Sequence, residues 1–287
     1  MVEGSHIELS DGRRIGYQEY GDSDGSPVFF FHGWIGSRLD FAPNDDIASG
    51  LGARVIAVDR PGCGASDFKE DRRLLDWPDD VSELADALGF DQFAVCGHSF
   101  GGPYVAACAY RLADRISSAA IVAGISPLFK GATEGMPGFV RLTLWLGGKA
   151  PVLTRPYVAL MGRMVVNKPD SIAKGIGSLL PEDEAALVDT SRFDGFFENF
   201  GEMVRNGSTG AYWDARTFLG EWGFQCEDIE MPVSLFYGTV DQNVPIQMGE
   251  YYRDAIPNSE ATFYEGEGHF VMYTRAEEIL SSLTGRL

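Results

Sequence analysis

The chain predicts an α/β fold built on a mostly parallel sheet, and three features of its sequence carry that prediction. Short apolar runs alternate with segments of helical periodicity, a pattern that buries strands on both faces and joins them through right-handed helical crossovers. Glycine-rich stretches follow three successive runs, at 32–37, 59–67 and 97–102, as expected of a parallel sheet that gathers its functional loops at the carboxyl ends of its strands. The last of these, Gly97-His98-Ser99-Phe100-Gly101-Gly102, fits the G-x-S-x-G pattern of a nucleophile elbow, with a serine held on a tight strand-to-helix turn. Small residues two before and two after that serine let strand and helix approach closely, so a side chain at Gly97 or Gly101 should obstruct the turn.

Taken in order, His6 to Leu9 and Arg14 to Tyr20 alternate around Ser10-Asp11-Gly12 and predict an opening hairpin. Val28 to Phe31 is a continuous apolar strand that runs into His32-Gly33-Trp34-Ile35-Gly36-Ser37, and Phe41 to Leu51 reads as a loop and short helix. Arg54 to Val58 is the next strand, ending at Asp59-Arg60-Pro61-Gly62-Cys63-Gly64. Leu74 to Leu88 places Val81, Leu84, Ala85 and Leu88 at helical spacing, ahead of the elbow strand at Phe93 to Cys96. A helix from Pro103 to Arg111 and a strand from Ile116 to Ala123 follow. Residues 126–222 are crowded with Leu144, Trp145, Tyr157, Phe193, Phe196, Trp213, Phe218 and Trp222 but hold no clear strand, which predicts an inserted helical cap. The sheet resumes at Val233 to Tyr237 and Ala261 to Tyr264, and a helix from about Arg275 to Leu283 closes the chain. The expected division is therefore a core of 1–125 and 223–287 interrupted by a cap of 126–222.

A chain of 287 residues, 45% of them apolar, is large enough to bury a substantial core as one domain or one domain with an insertion. The formal net charge of -19 excludes a nucleic-acid reading, because there is no basic stripe to neutralise phosphates, and it disfavours anionic membranes. The acidic residues are dispersed, as on a solvated surface. Four cysteines, Cys63, Cys96, Cys108 and Cys226, form no C-x-x-C pair and no cluster with histidine, so reduced buried thiols are expected, with no metal site and no cofactor. No basic segment leads an apolar run at the N-terminus, and no apolar stretch reaches about 18 residues. The expectation is a cytoplasmic enzyme whose partner is a small-molecule substrate.

A serine hydroxyl needs a base, and histidine is the usual one because its pKa lies near neutrality. Of the four histidines, His6 sits in the first strand, His32 in a glycine turn, and His98 beside the nucleophile where neighbouring side chains diverge. His269, in Glu265-Gly266-Glu267-Gly268-His269, occupies the loop after the last strand and is the expected base. The orienting acid of a G-x-S-x-G enzyme falls between serine and histidine in chain order. Asp241 fits, a short turn beyond the strand ending at Gly238. Asp228 precedes that strand and suits capping or surface solvation instead. Acyl transfer also needs donors for a developing oxyanion, here the backbone N–H groups of Phe100 and Trp34. Asp59 and Arg60 are read as organising their loop through an ion pair or hydrogen bonds rather than touching substrate.

His32-Gly33, Asp59-Arg60-Pro61-Gly62-x-Gly64-x-Ser66, Gly97-His98-Ser99-Phe100-Gly101-Gly102, Gly238-x-x-Asp241 and Gly268-His269 occur in that order across nearly the whole length. In this the chain resembles the capped, single-domain branch of the α/β-hydrolase superfamily. The resemblance implies an eight-stranded, mostly parallel sheet with a helical lid and a Ser99, Asp241, His269 triad. Serine at 99 departs from the haloalkane dehalogenases and epoxide hydrolases, which carry aspartate there. Trp34-Ile35 departs from the H-G-x-P-G loop of proline iminopeptidases, and His269-Phe270 from the H-W pair of many carbon–carbon bond hydrolases. The function expected is hydrolysis of a carboxylic ester, thioester or lactone with an apolar acyl or alcohol part. The alternatives are a proline iminopeptidase-like enzyme, with Glu182, Asp183, Glu184, Glu198 or Glu202 binding a substrate amine, and a slow-turnover ligand receptor that retains the triad.

Overall fold

The computed structural model describes residues 4–34, 36–167 and 196–285. Its eight strands are β1 (Ser5–Glu8), β2 (Arg14–Gly21), β3 (Ser26–Phe31), β4 (Ala53–Val58), β5 (Phe93–His98), β6 (Ile116–Val122), β7 (Val233–Gly238) and β8 (Ser259–Tyr264). They form one sheet in the order β1-β2-β4-β3-β5-β6-β7-β8. The β1–β2 and β2–β4 pairings are antiparallel and the rest are parallel.

Strand periodicity divides the core between the two faces of the sheet. Phe29, Phe31, Ile56, Val58, Val95, Ile121 and Leu235 point to one side, where they pack with Val81 and Leu84 of helix Trp77–Leu88 and Val105 of helix Gly102–Arg111. Val28, Phe30, Val55, Ala57, Cys96, Ala120, Val122 and Phe236 point to the other, against Ala48 of helix Asp45–Gly50 and Ile279, Leu280 and Leu283 of helix Ala276–Thr284. The alternate residues of β3 to β7 thus serve opposite layers, which is why the sequence shows unbroken apolar runs there rather than alternation. Helix Trp77–Leu88 begins with Pro78 in its first turn and ends at Gly89, whose φ of 79° provides a left-handed C-cap.

Between β6 and β7 the described residues contain helices Gly138–Lys149, Pro151–Asn167, Phe196–Met203 and Thr209–Leu219 and no strand. A small apolar cluster of Val158, Met203 and Ala211 with Cys63 seats three of these helices on the loop after β4. Leu144, Ala215, Phe218 and Trp222 join the main core. The apolar residues of this segment are divided in their placement: Trp145, Leu142, Leu153 and Leu160 are exposed. Phe193, with Glu182, Asp183 and Glu184, lies outside the described residues. No helix among the described residues is long and apolar enough to cross a membrane. All four cysteines are free and buried.

Candidate active site

The turn at Ser99 follows from three glycines and one strained residue. His98 ends β5 in extended conformation, Ser99 has a φ of 55°, and a 3-10 turn over Ser99–Gly101 leads into helix Gly102–Arg111. A positive φ on a non-glycine residue costs on the order of 1–3 kcal/mol and persists only where the surroundings enforce it. The surroundings here are close. A Cβ on Gly97 would lie 2.5 Å from the Gly101 carbonyl oxygen and 2.7 Å from Val105 Cγ2, and one on Gly101 would run into the Phe31 carbonyl. A Cβ on Gly102 would lie 2.9 Å from the Gly124 Cα. The Ser99 carbonyl accepts from the Ile125 N–H at 3.1 Å, which ties the turn to the end of β6.

Parallel pairing of β7 and β8 sets their following loops side by side. The Thr239 N–H donates to the Tyr264 carbonyl and the Val240 N–H to the Glu267 carbonyl, both at 3.0 Å. Gly238 allows this, since a Cβ there would strike the carbonyls of Glu267 and Gly268. The loops bring Asp241 Oδ2 to 2.7 Å from His269 Nδ1, and His269 Nε2 to 3.1 Å from Ser99 Oγ. The other carboxylate oxygen, Oδ1, accepts the N–H groups of Asn243 at 2.7 Å and Val244 at 2.9 Å. A carboxylate can only accept here, so Nδ1 carries the proton and Nε2 is left to accept from the Ser99 hydroxyl. Ser99 is 4% exposed and Asp241 6%, so the chain of hydrogen bonds runs through a largely dry region. Asp228 instead caps the 3-10 turn Cys226–Asp228, accepting from the Gln225 N–H at 3.0 Å.

Trp34 and Phe100 flank the serine from two directions. The loop after β3 abuts Ser99, for a Cβ on Gly33 would stand 3.4 Å from Ser99 Cβ. Phe100 occupies the second position of the 3-10 turn, where a backbone N–H has no partner within the turn. The Trp34 indole N–H donates to the Ala211 carbonyl at 3.0 Å, so the side chain tethers the loop to helix Thr209–Leu219. The Phe100 ring lies 6.1 Å from the Trp34 ring and 4.3 Å from that of Phe218, so the side chain that follows Ser99 packs within an aromatic group.

Asp59 and Arg60 organise their loops, but through different partners rather than through each other. Asp59 Oδ2 accepts from Arg38 Nη1 at 2.8 Å and from the Ala65 N–H, also at 2.8 Å. Arg38 Nη1 also reaches Glu202 at 2.7 Å, and Arg205 pairs with the same Glu202 oxygen at 2.6 Å. Arg60 pairs with Asp214 at 2.8 Å; Arg72 at 3.0 Å and the Tyr104 hydroxyl at 2.7 Å complete the coordination of that carboxylate. Burial alone would raise the Asp214 pKa; the Arg60 and Arg72 guanidiniums outweigh it and hold the carboxyl at about 2. Asn199 accepts from the Ser37 N–H at 2.7 Å and donates to Asp40 at 2.9 Å. Glu202, Asn199 and Asp214 all belong to the segment between β6 and β7, so that segment is fastened to the loops after β3 and β4 by buried polar contacts.

Sequence reasoning did not single out Asp214, Asn199, Asp40 or His98 for these roles, and it offered Glu202 as a free cap carboxylate. A signal existed for Asp214: it falls on the buried stripe Ala211, Asp214, Ala215, Phe218 of its helix, where a charge must have a buried partner. His98 does not simply point away from the triad. Its ring stands 4.9 Å from that of His269, and its Nε2 donates to the His269 carbonyl at 3.1 Å. Burial, and then the proximity of His269, lowers its pKa to about 4, so it is neutral near pH 7. Among the described residues no group of His, Cys, Asp and Glu is arranged to hold a metal ion.

The fold and this constellation are those of a hydrolase. The chain belongs to the alpha/beta hydrolase fold family, whose profile matches residues 26–276. A non-heme chloroperoxidase of Streptomyces lividans is 29% identical over 282 residues, covering 94% of this chain and 95% of the relative. A bifunctional esterase/perhydrolase of Acinetobacter calcoaceticus is 26% identical, with 97% of each chain covered. Among solved structures, an esterase from Exiguobacterium antarcticum superposes with a TM-score of 0.70 at 21% identity, over 99% of this chain and 98% of that one.

Proposed function

We propose that the protein cleaves a carboxylic ester, thioester or lactone of a small, largely apolar substrate through an acyl-enzyme on Ser99. The observation that carries this reading is the hydrogen-bonded series Ser99 Oγ, His269, Asp241. His269 Nε2 takes the hydroxyl proton as Ser99 attacks the carbonyl carbon, and Asp241 stabilises the imidazolium. The N–H groups of Trp34 and Phe100 receive the oxyanion, and the proton passes from His269 to the leaving group. Water activated by His269 then releases the acid and restores the serine.

The apolar bias is supported by the Trp34 and Phe218 rings that pack against Phe100, the residue that follows Ser99. Residues 126–222 form the cap in this reading, with 1–125 and 223–287 as the core, and the four buried thiols suit a cytoplasmic setting. The iminopeptidase alternative loses one of its anchors, since the Glu202 carboxylate is only 5% exposed and already engages Arg38 and Arg205. A panel of p-nitrophenyl esters, thioesters, lactones and a prolyl arylamide tests the proposal. The ester or lactone series should give the higher kcat/KM, and preference for the prolyl amide would replace this reading. An arm with hydrogen peroxide as acyl acceptor tests whether the perhydrolase activity named for the Acinetobacter relative extends to this chain.

A further inference from the structure

We propose that Arg60 is a positioning residue for the oxyanion hole, aiming the Trp34 N–H by clamping the carbonyls of His32 and Gly33, with Asp214 holding the guanidinium in place. The inference rests on the acyl-enzyme reading above and adds to it the origin of one donor's orientation.

Two consecutive peptide planes after β3 are fixed at both ends or at one. In the His32–Gly33 peptide the carbonyl accepts from Arg60 Nη1, and the N–H donates to Asp40 Oδ2 at 3.1 Å. In the Gly33–Trp34 peptide the carbonyl accepts from Arg60 Nη2 at 3.1 Å and from His32 Nδ1 at 2.8 Å. His32 supports that assignment, because a carbonyl needs a donor and burial together with the neighbouring Arg60 keeps the imidazole neutral. Its unprotonated Nε2 then faces the Arg60 N–H at 3.4 Å. The carbonyl and N–H of a trans peptide point in opposite directions. Holding the Gly33 carbonyl from the Arg60 side therefore turns the Trp34 N–H away from it. Among the described residues that N–H has no acceptor, while the Gly33 N–H is consumed by Asp40. Of the two amides, only that of Trp34 is left for a substrate oxygen.

The guanidinium is suited to this by shape. Its planar fork reaches two carbonyls with two Nη atoms while Nε and Nη2 face the Asp214 carboxylate at 2.9 and 2.8 Å. Its Cζ also lies 4.7 Å from the centre of the Tyr104 ring. Asp214 stands on helix Thr209–Leu219, so the donor's aim depends on a residue from the inserted segment.

Arg60→Lys tests the clamp, because lysine keeps a charge opposite Asp214 but has no fork to span two carbonyls. Wild type is first treated with a fluorophosphonate; absence of labelling at Ser99 overturns the acyl-enzyme reading and the clamp with it. With labelling established, kcat and KM are measured on p-nitrophenyl butyrate, alongside the inhibition constant of butylboronic acid, whose tetrahedral adduct places an oxygen in the oxyanion hole. Arg60→Lys, folded by thermal melting, should lose about 10- to 100-fold in kcat with KM within about twofold, and boronate affinity should weaken in proportion. The acid limb of the pH–rate profile should not move, since Asp241 and His269 are untouched. A folded variant with wild-type kcat and boronate affinity, or a loss confined to KM, overturns the clamp alone. Asp214→Asn, which leaves Arg60 in place, provides the same readings if the lysine variant does not fold; a smaller loss in kcat matched in the boronate supports the clamp, and none overturns it.

Discussion

Asp241→Asn should cost the enzyme about four orders of magnitude in kcat, and the structure explains why an isosteric change does so much. In the native protein Oδ1 accepts two backbone N–H groups, from Asn243 and Val244, while Oδ2 faces His269 Nδ1. An asparagine has one oxygen and one NH2 for these two positions. The two backbone donors require an acceptor, so the amide oxygen must take the Oδ1 position and the NH2 must face the imidazole. A donor at that place forces Nδ1 to accept, moving the ring proton to Nε2. The histidine then presents N–H to Ser99 and has no lone pair with which to take its proton. Loss of the imidazolium's counter-charge adds to the effect. Together a wrong tautomer and a missing carboxylate are worth about 10⁴ in rate in a serine triad, or about 5 kcal/mol of transition-state stabilisation. The assay is steady-state hydrolysis of p-nitrophenyl butyrate, with folding followed by thermal melting. The melting temperature should change little, because both backbone contacts of Oδ1 survive. Asp228→Asn, which alters only the cap on Gln225, is the control and should retain activity. An Asp241→Asn enzyme keeping more than a tenth of wild-type kcat would refute the reasoning.

Ser99→Ala should abolish fluorophosphonate labelling and esterase activity together; robust turnover by that variant would remove Ser99 from its role. Gly101→Ala places a Cβ against the Phe31 carbonyl and 3.2 Å from that of His32, so it should destabilise the fold by at least about 1–3 kcal/mol and displace the nucleophile. A folded Gly101→Ala enzyme with wild-type kcat would contradict the close packing of the elbow. His98 makes stability depend on pH: its folded pKa of about 4 lies below the ordinary histidine value of about 6.5, so between these limits the unfolded chain binds the extra proton. The contribution is full above about pH 6.5 and is lost as pH falls toward 4, to a maximum of about 3 kcal/mol. Thermal melts of wild type and His98→Asn should therefore converge on acidification from pH 7 to 4; a pH-independent difference between them would deny the titration.

The central strands of this protein were legible because they are buried on both faces and so read as continuous apolar runs. Val28 to Phe31, for example, locates β3 to within two residues of its observed Ser26–Phe31 span. The arrangement of Ser99, Asp241 and His269 could be anticipated because each falls in a short loop at the carboxyl end of a strand, where topology alone limits what it can meet. What the sequence did not reveal are contacts whose partners lie far apart in the chain and on different layers. Arg60 and Asp214 are 154 positions apart, and Arg38 and Glu202 are 164 apart. No local period relates such residues. Asp59 and Arg60 could be read as organising their loop through an ion pair or hydrogen bonds, but the partners, Arg38 and Asp214, lie elsewhere in the chain. The exposure of Trp145 and Leu142 was equally hidden, since aromatic density does not state which side of a helix meets the core.

The character of those long-range contacts bears on how the segment between β6 and β7 is held. Apolar packing is non-directional and tolerates sliding; among the described residues it comes here from the small cluster of Val158, Met203 and Ala211 with Cys63 and from Leu144, Ala215, Phe218 and Trp222 in the main core. A carboxylate buried among two guanidiniums and a tyrosine hydroxyl satisfies its hydrogen bonds in one register only. Desolvation offsets much of the attraction in such a pair, so its net stabilisation is small, whereas its disruption leaves a buried charge without a partner at a cost of about 3–5 kcal/mol. The asymmetry matters more than the mean. A shift of helix Thr209–Leu219 by one turn would move Asp214 about 5 Å and strand Arg60, Arg72 and Tyr104 at once. The helix must therefore sit where its carboxylate meets Arg60, and the residue that fixes its register is the same one that grips the loop beside Ser99.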